Sequence, residues 1–332
     1  MEPLTVGLTY DLRCEHEAAG LCPEDAAEFD CEETIAAIEG AIRAMGLDTV
    51  RIGHGRALCQ RLVAGERWDL VFNIAEGLHG RSREAQVPAL LELYGIPYSF
   101  SDPLTCAATL DKAVAKILVR AAGLNTPDFA VVRSPEDLER LSLPMPVFAK
   151  PLQEGTGIGI GPTSRIDDAE QLAGRVLDLL QRHRQPVLVE RFLPGREFTT
   201  GVVGTGADAR VVGTMELSVD PSAGDYGYQA KQDWERLVAY RPPEPGALLE
   251  AVERLALDSH RALECRDGSR VDIRVDHDGR PAFIEVNPLP GLNPVYSDLP
   301  MLARMHGVGF EELIAAIVRS ALVRRLVHTV AA

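Results

Sequence analysis

Apolar and polar positions change period several times along the chain, and these changes divide it into three lobes. LTVGLT (4–9), DTVRIG (48–53) and DLVFNIA (69–75) are short runs rich in β-branched residues, which predicts strands. Between the first two, Ile35, Ile38, Ile42 and Met45 recur at spacings of three and four. That is one apolar stripe of a helix, predicted to start near Asp30 with Glu33 completing a variant capping box. A second helix is predicted over Glu84–Tyr94, after which GIPYS returns to extended chain. Strands alternating with helices imply an α/β domain whose parallel sheet has about four strands and ends near residue 100.

From Asp111 the segment LDKAVAKILVRAAG reads as helix up to Gly123, and Thr126-Pro127 turns the chain into a strand. Ser134-Pro135 opens a short helix. PVFAKP (146–151) is a strand leading into the glycine run EGTGIGIGP, and a helix over about 167–183 completes a small α+β lobe. Beyond Pro186 the strands VLVERF, EFTTGVVG and RVVGTMELSV follow closely. A helix over 245–264, a hairpin over 270–287 and two C-terminal helices make a larger, mainly antiparallel lobe. The predicted domains are residues 1–105, 106–185 and 186–332.

Length supports this division, since 332 residues exceed one ordinary domain. The 34 basic residues against 49 acidic ones give a net charge of −15, which disfavours nucleic acid and anionic membrane as partners. The first ten residues lack the basic start of a signal peptide, and Arg319, Arg324 and Arg325 interrupt the last apolar stretch. A cytoplasmic, soluble protein is expected. Six cysteines without a C-x-x-C pair predict reduced thiols.

Candidate chemistry falls in four places. In the hairpin, Asp278-Gly279 suits a two-residue turn that sets Asp272 opposite Glu285 and Arg270 opposite Asn287, all on one face. Opposed carboxylates repel unless a cation lies between them, and Asp272, Glu285 and Asn287 offer the oxygens Mg²⁺ takes; a solvated face neutralised by Arg270 and Arg274 is the alternative. The run Glu154 to Gly161 follows Lys150, and its unobstructed amides suit a phosphate cradle or a plain glycine-rich turn. VLVERFLPGRE (187–197) is a strand and turn whose amides could meet a purine edge, with Glu197 available to a ribose. NPLPGLNP (287–294) is a stiff loop of the kind that lines sites or simply connects elements.

The ordered set Asp111-Lys112, AKP with EGTGIGI, VERFLPGRE, RVDIRVD and EVNPLPG resembles the ATP-grasp enzymes, specifically their D-alanine–D-alanine ligase-like branch. The resemblance spans about residues 70 to 320. It implies a three-lobed architecture with a parallel N-terminal α/β domain and ATP between the other two lobes. It further implies that Lys112 and Lys150 contact phosphates, with Glu154, Gly155 and Gly157 in the glycine loop beside them. Glu190, Arg191, Phe192 and Leu193 would form the adenine hinge and Glu197 would hold ribose. Asp272, Glu285 and Asn287 would ligate Mg²⁺ or Mn²⁺. Arg270 would face an acyl phosphate, Lys231 would reach the transferring phosphate, and Thr156 replaces a substrate-side serine. Glu76, His79, Glu84, Gly291 and Ser297 fall where substrate is met.

The expected function is ATP-dependent joining of a carboxylate to an amine through an acyl phosphate, acting on small molecules, with a homodimer as the expected assembly. The alternatives are phosphorylation or cyclisation of a carboxylate, or nucleotide sensing without catalysis. The family's glycine-glycine-serine-glutamate signature is absent, with TYDLRCEHE (9–17) in its place. Gln232 stands where a tyrosine is usual, and the loop after Gly291 is one residue longer. These departures predict a substrate other than D-alanine, held in an acidic pocket built from Asp11–Glu17 with Glu76, His79 and Glu84; a solvated acidic face is the alternative.

Overall fold

The computed structural model describes residues 3–220, 227 and 232–331, with side chains up to Arg325. Three sheets carry the architecture. Strands β1 (Thr5–Thr9), β2 (Asp48–Gly53) and β3 (Leu70–Asn73) form a parallel sheet in the order β2-β1-β3. The fourth strand expected from GIPYS is reduced to a single bridge between Val71 and Tyr98, where the Val71 amide donates to Pro97 O and Ser99 N donates to Val71 O. The helix Glu32–Ala44 buries Ile35, Ile38 and Ile42 as its stripe predicts. Its cap, however, is Cys31, with no side-chain capping bond, and Asp30 lies one residue outside it. Sequence patterning also misses the helices Arg13–Ala18, Gly55–Val63 and Pro103–Leu110. The predicted helix from Glu84 starts as a 3-10 turn, Arg83–Ala85, and runs as α-helix over Gln86–Leu93.

The second sheet is antiparallel in the order β4-β7-β5-β6, from β4 (Phe129–Val132), β5 (Val147–Pro151), β6 (Arg165–Ile166) and β7 (Val187–Arg191). VLVERF therefore pairs in this sheet, between β4 and β5, and not with the strands that follow it. Period-two alternation sorts its residues. Val147, Ala149, Val187 and Val189 pack with Val176 and Leu179 of the helix Ala169–His183. Phe148, Lys150, Leu188 and Glu190 take the opposite face, in the pairs Phe148↔Glu190 and Lys150↔Leu188.

The third sheet has the order β10-β9-β8-β11-β12, from β8 (Glu197–Val203), β9 (Arg210–Val219), β10 (Val238–Arg241), β11 (Gly268–Val275) and β12 (Pro281–Asn287). Val271, Ile273, Phe283 and Val286 point into a core shared with Val252, Leu255 and Ala256 of the helix Ala247–Ala262. The last two helices, Asp298–Met305 and Phe310–Ala331, close the core against the first lobe. The six cysteines are unpaired. Among the described residues no helix is long and apolar enough to cross a membrane.

Candidate active site

The hairpin places its acids as expected, but by another route. The Asp276 amide donates to Arg280 O, so the loop has three residues, His277 to Gly279, with Gly279 at φ 80° in the left-handed region glycine favours. An odd loop alone would shift the register. A β-bulge at Ile284 restores it, because pairing runs Ile273↔Phe283 and then Asp272↔Glu285 and Arg270↔Asn287. On the neighbouring strand Thr199 pairs with Asp272 and donates from its hydroxyl to Asp272 Oδ1 at 2.6 Å.

Asp111 fixes the lysines. Its side chain caps the helix Lys112–Ala121, accepting from the Ala113 and Val114 amides at 3.1 Å. Lys112 thus occupies the first helical position and Lys116 lies one turn on along the same face. Lys112 Nζ and Lys150 Nζ both lie 3.6 Å from Glu285 Oε2. Lys150 is also 3.1 Å from Glu190, which Lys116 meets at 2.8 Å. Five groups, Lys112–Glu285–Lys150–Glu190–Lys116, therefore alternate in sign. Burial lowers the Lys150 pKa, but Glu190 and Glu285 outweigh it and hold the ammonium above its usual value. For Glu190, burial is likewise outweighed by Lys116 and Lys150, so its carboxyl is held low. Lys116 was not singled out in the sequence, although its i,i+4 spacing from Lys112 was the available signal.

Two cavities meet at this chain of charges. The smaller, about 80 Å³, is lined by the apolar side chains of Phe148, Ile158, Ile160, Phe192, Leu193 and Ile284 together with Lys112, Lys150, Glu190, Glu197, Asp272, Arg274 and Glu285. Gly157 and Arg191 also line it. The Phe192 ring is flanked by the Arg165 and Arg274 guanidinium groups at 4.5 and 4.9 Å, a pair of cation–π contacts the sequence did not indicate. Glu197 lies 3.6 Å from Arg274. The hinge departs from expectation at two amides, since Arg191 N donates to Asp128 O and Phe192 N to Pro146 O, so neither meets a purine edge.

The larger cavity, about 200 Å³, shares Lys112, Glu154 and Glu285 with the smaller one. Arg270, Asn287, Gly155, Thr156, Gly291 and Ser297 also line it. Arg270 donates to Asp298 Oδ2 at 2.9 Å and to Asp272 Oδ2 at 3.1 Å; Asp298 was not foreseen. A Cβ on Gly291 would stand 2.9 Å from Ser297 Oγ, too close for an ordinary contact. Glu76 and Glu84 line this cavity, whereas His79 is exposed and outside it. The acids expected from Asp11–Glu17 are not those found. Asp11 is buried, accepting from the Gly77 amide at 3.0 Å, and the segment sends Arg13 to the cavity, where Glu28 and Asp30 supply the carboxylates. Lys231 lies outside the described residues.

The family model described as D-ala D-ala ligase C-terminus matches residues 118–319. The chain is 34% identical over 308 residues to the D-alanine–D-alanine ligase of Citrifermentans bemidjiense, covering 91% of this chain and 93% of that one. Against the D-alanine–D-alanine ligase of Geobacter sulfurreducens it is 36% identical over 290 residues, 86% and 87% of the two chains. The crystal structure of D-alanine–D-alanine ligase from Bacillus anthracis superposes with a TM-score of 0.75 at 21% identity, covering 98% and 99% of the chains. The chain belongs to the D-alanine–D-alanine ligase family of the ATP-grasp superfamily, and is an ATP-dependent ligase that forms a carbon–nitrogen bond between a carboxylate and an amine.

Proposed function

We propose that the protein uses ATP to activate a carboxylate in the larger cavity and passes the acyl group to an amine there, on a substrate other than D-alanine. The observation that carries this is the shared wall. Lys112, Glu154 and Glu285 belong to both cavities, so a phosphoryl group at that wall faces nucleotide on one side and substrate on the other.

The apolar side chains lining the smaller cavity suit a purine, with Glu190 to Leu193 as its hinge and Glu197 beside the ribose. Lys112 and Lys150 neutralise phosphate oxygens, as buried ammonium groups do well. Asp272, Glu285 and Asn287 offer two carboxylates and an amide oxygen in adjoining register positions, hard oxygen donors that fit Mg²⁺ or Mn²⁺. Bound there, the ion would supply charge neutralisation at the phosphates. The substrate carboxylate oxygen attacks the γ-phosphorus, the bond to the β-phosphate oxygen breaks, and ADP leaves. The amine then attacks the acyl carbon, inorganic phosphate departs, and the amine loses a proton. Arg270, held by Asp272 and Asp298, faces the negative charge that builds on the acyl phosphate. Lys231 and Thr156 are assigned to the transferring phosphate and the substrate side. Three lobes provide the clamp, the second reaching past 185 to Arg191 because β7 pairs in its sheet, with water kept from the acyl phosphate by the glycine loop.

Glu285→Gln and Asp272→Asn should each lower amino-acid-dependent ADP release by at least about a hundredfold, as loss of a transition-state electrostatic contact does. Wild-type rates in both variants, at saturating Mg²⁺ and with unchanged circular dichroism, would remove the metal assignment.

A further inference from the structure

One part of the larger cavity's lining carries more negative charge than the amino group of a neutral amino acid can use. Glu28, Asp30, Glu76 and Glu84 line it. Two arginines answer them from the protein: Arg83 pairs with Glu28 at 2.8 Å, and Arg13, whose guanidinium donates to the Ala27 and Phe29 carbonyls at 3.2 Å, attracts Asp30. Counting Glu154 and Lys112, which line the same cavity and act on Glu28 and Glu84, five acids against Arg13, Arg83 and Lys112 leave two negative charges when all are ionised. Glu84 is only 7% exposed, and its Oε2 is buried without a hydrogen-bond partner among the described residues. A buried carboxylate oxygen without a donor is a costly arrangement in a protein that has evolved it against a cavity, unless a ligand supplies the donor.

We propose that this wall receives two cationic groups of one substrate, the α-ammonium and an ammonium or guanidinium on its side chain, so that the enzyme ligates a dibasic amino acid. This rests on the ligase reading above and names its substrate class. The electrostatics of the wall support it. Burial, then the charges of Glu84 and Glu28, push the Glu76 carboxyl up against the pull of Arg83. Burial and Glu28 push Glu84 up against Arg83 and Lys112, and burial raises Asp30 to about 7 against Arg13. A cation placed among them relieves all three at once, through charge-assisted hydrogen bonds that D-alanine's methyl group cannot make.

The test is a panel assayed for ADP release with mass detection of product. Lysine, ornithine and arginine, in both enantiomers, are set against the neutral isosteres norleucine, norvaline and citrulline, and against D-alanine. A cationic member should exceed its neutral isostere in kcat/KM by about tenfold or more, and the ratio should collapse in Glu84→Gln. Glu76→Gln, expected to narrow the same ratio, serves if Glu84→Gln does not fold. Equal or better turnover of the neutral isosteres or of D-alanine overturns the dibasic substrate while leaving the ligase. If no amino acid raises ADP release above that with ATP alone, the ligase reading itself fails, and this proposal with it.

Discussion

The ammonium of Lys116 has no solvent exposure and is met by Glu190 at 2.8 Å, Thr126 Oγ1 at 3.2 Å and the Phe283 carbonyl at 3.3 Å. Burial lowers its pKa to about 8 despite Glu190. Glu190 bridges Lys116 and Lys150, so on the proposed assignment Lys116 helps to position the lysine that would face phosphate. Lys116→Met should raise the KM for ATP roughly tenfold and lower stability by about 3 kcal/mol, the cost of leaving a buried charge with one partner fewer. An unchanged KM with a lower urea midpoint would reduce Lys116 to a purely structural role. The acids lining the larger cavity carry a pH signature. A carboxylate raised to about 7 in the fold binds more protons folded than unfolded above about pH 4, so its share of stability falls as pH climbs through that window. His260, buried and lowered to about 4, acts in the opposite sense up to its ordinary value. The difference between wild type and Asp30→Asn isolates the acid. Moving from about pH 8 to about pH 5 should favour wild type over the variant in Tm, and a parallel response of both would contradict the assignment. Only part of this was legible in sequence: Lys116 by its spacing from Lys112, and Glu76 and Glu84 as pocket acids, whereas Glu28 and Asp30 stand outside the segment whose departures drew attention.

At the scale of elements, the hairpin shows how a correct register can have a cause the sequence conceals. The turn residues pointed to a two-residue loop, the chain makes a three-residue one, and the bulge at Ile284 cancels the shift before Asp272 and Glu285 are reached. A bulge within PAFIEVN has no local signature, since Ile284 alternates like any strand residue. It turns an apolar side chain toward the smaller cavity beside Glu285. The glycine run was legible as a loop, but not its tether. Glu28 Oε1 accepts from the Gly155 amide at 2.6 Å, while Arg83 grips both Glu28 and the Gln153 carbonyl, at 2.8 and 3.0 Å. Gly159 at φ 75° keeps the loop tight, and a side chain there would strike Pro151. Glu28→Gln should therefore speed amide exchange over residues 155–160, and ATP with Mg²⁺ should slow it in wild type. Identical exchange in the variant and in both nucleotide states would show that neither the tether nor the nucleotide holds the loop.

For the molecule as a whole, the alternation of strand and helix periods was enough to predict three lobes, because layers are set by local pattern. Which strand joins which sheet was not, since the choice of VLVERF for β4 and β5 depends on contacts distant in sequence. The site has the same division. Lys112, Lys150, Asp272 and Glu285 stand at strand and cap positions that spacing discloses. Asp298 beneath Arg270, and Glu28 reaching Gly155 across 127 residues of chain, are products of lobe packing. A net charge of −15 frames the result, for Lys112, Lys116 and Lys150 are gathered inside, where screening by salt is weak. The central claim is that the carboxylate becomes an acyl phosphate at the wall between the cavities. The most direct measurement uses the best amino acid of the panel with its carboxylate labelled by ¹⁸O. The account predicts that one labelled oxygen moves into the inorganic phosphate released with ADP, whereas unlabelled phosphate accompanying amide formation would contradict it.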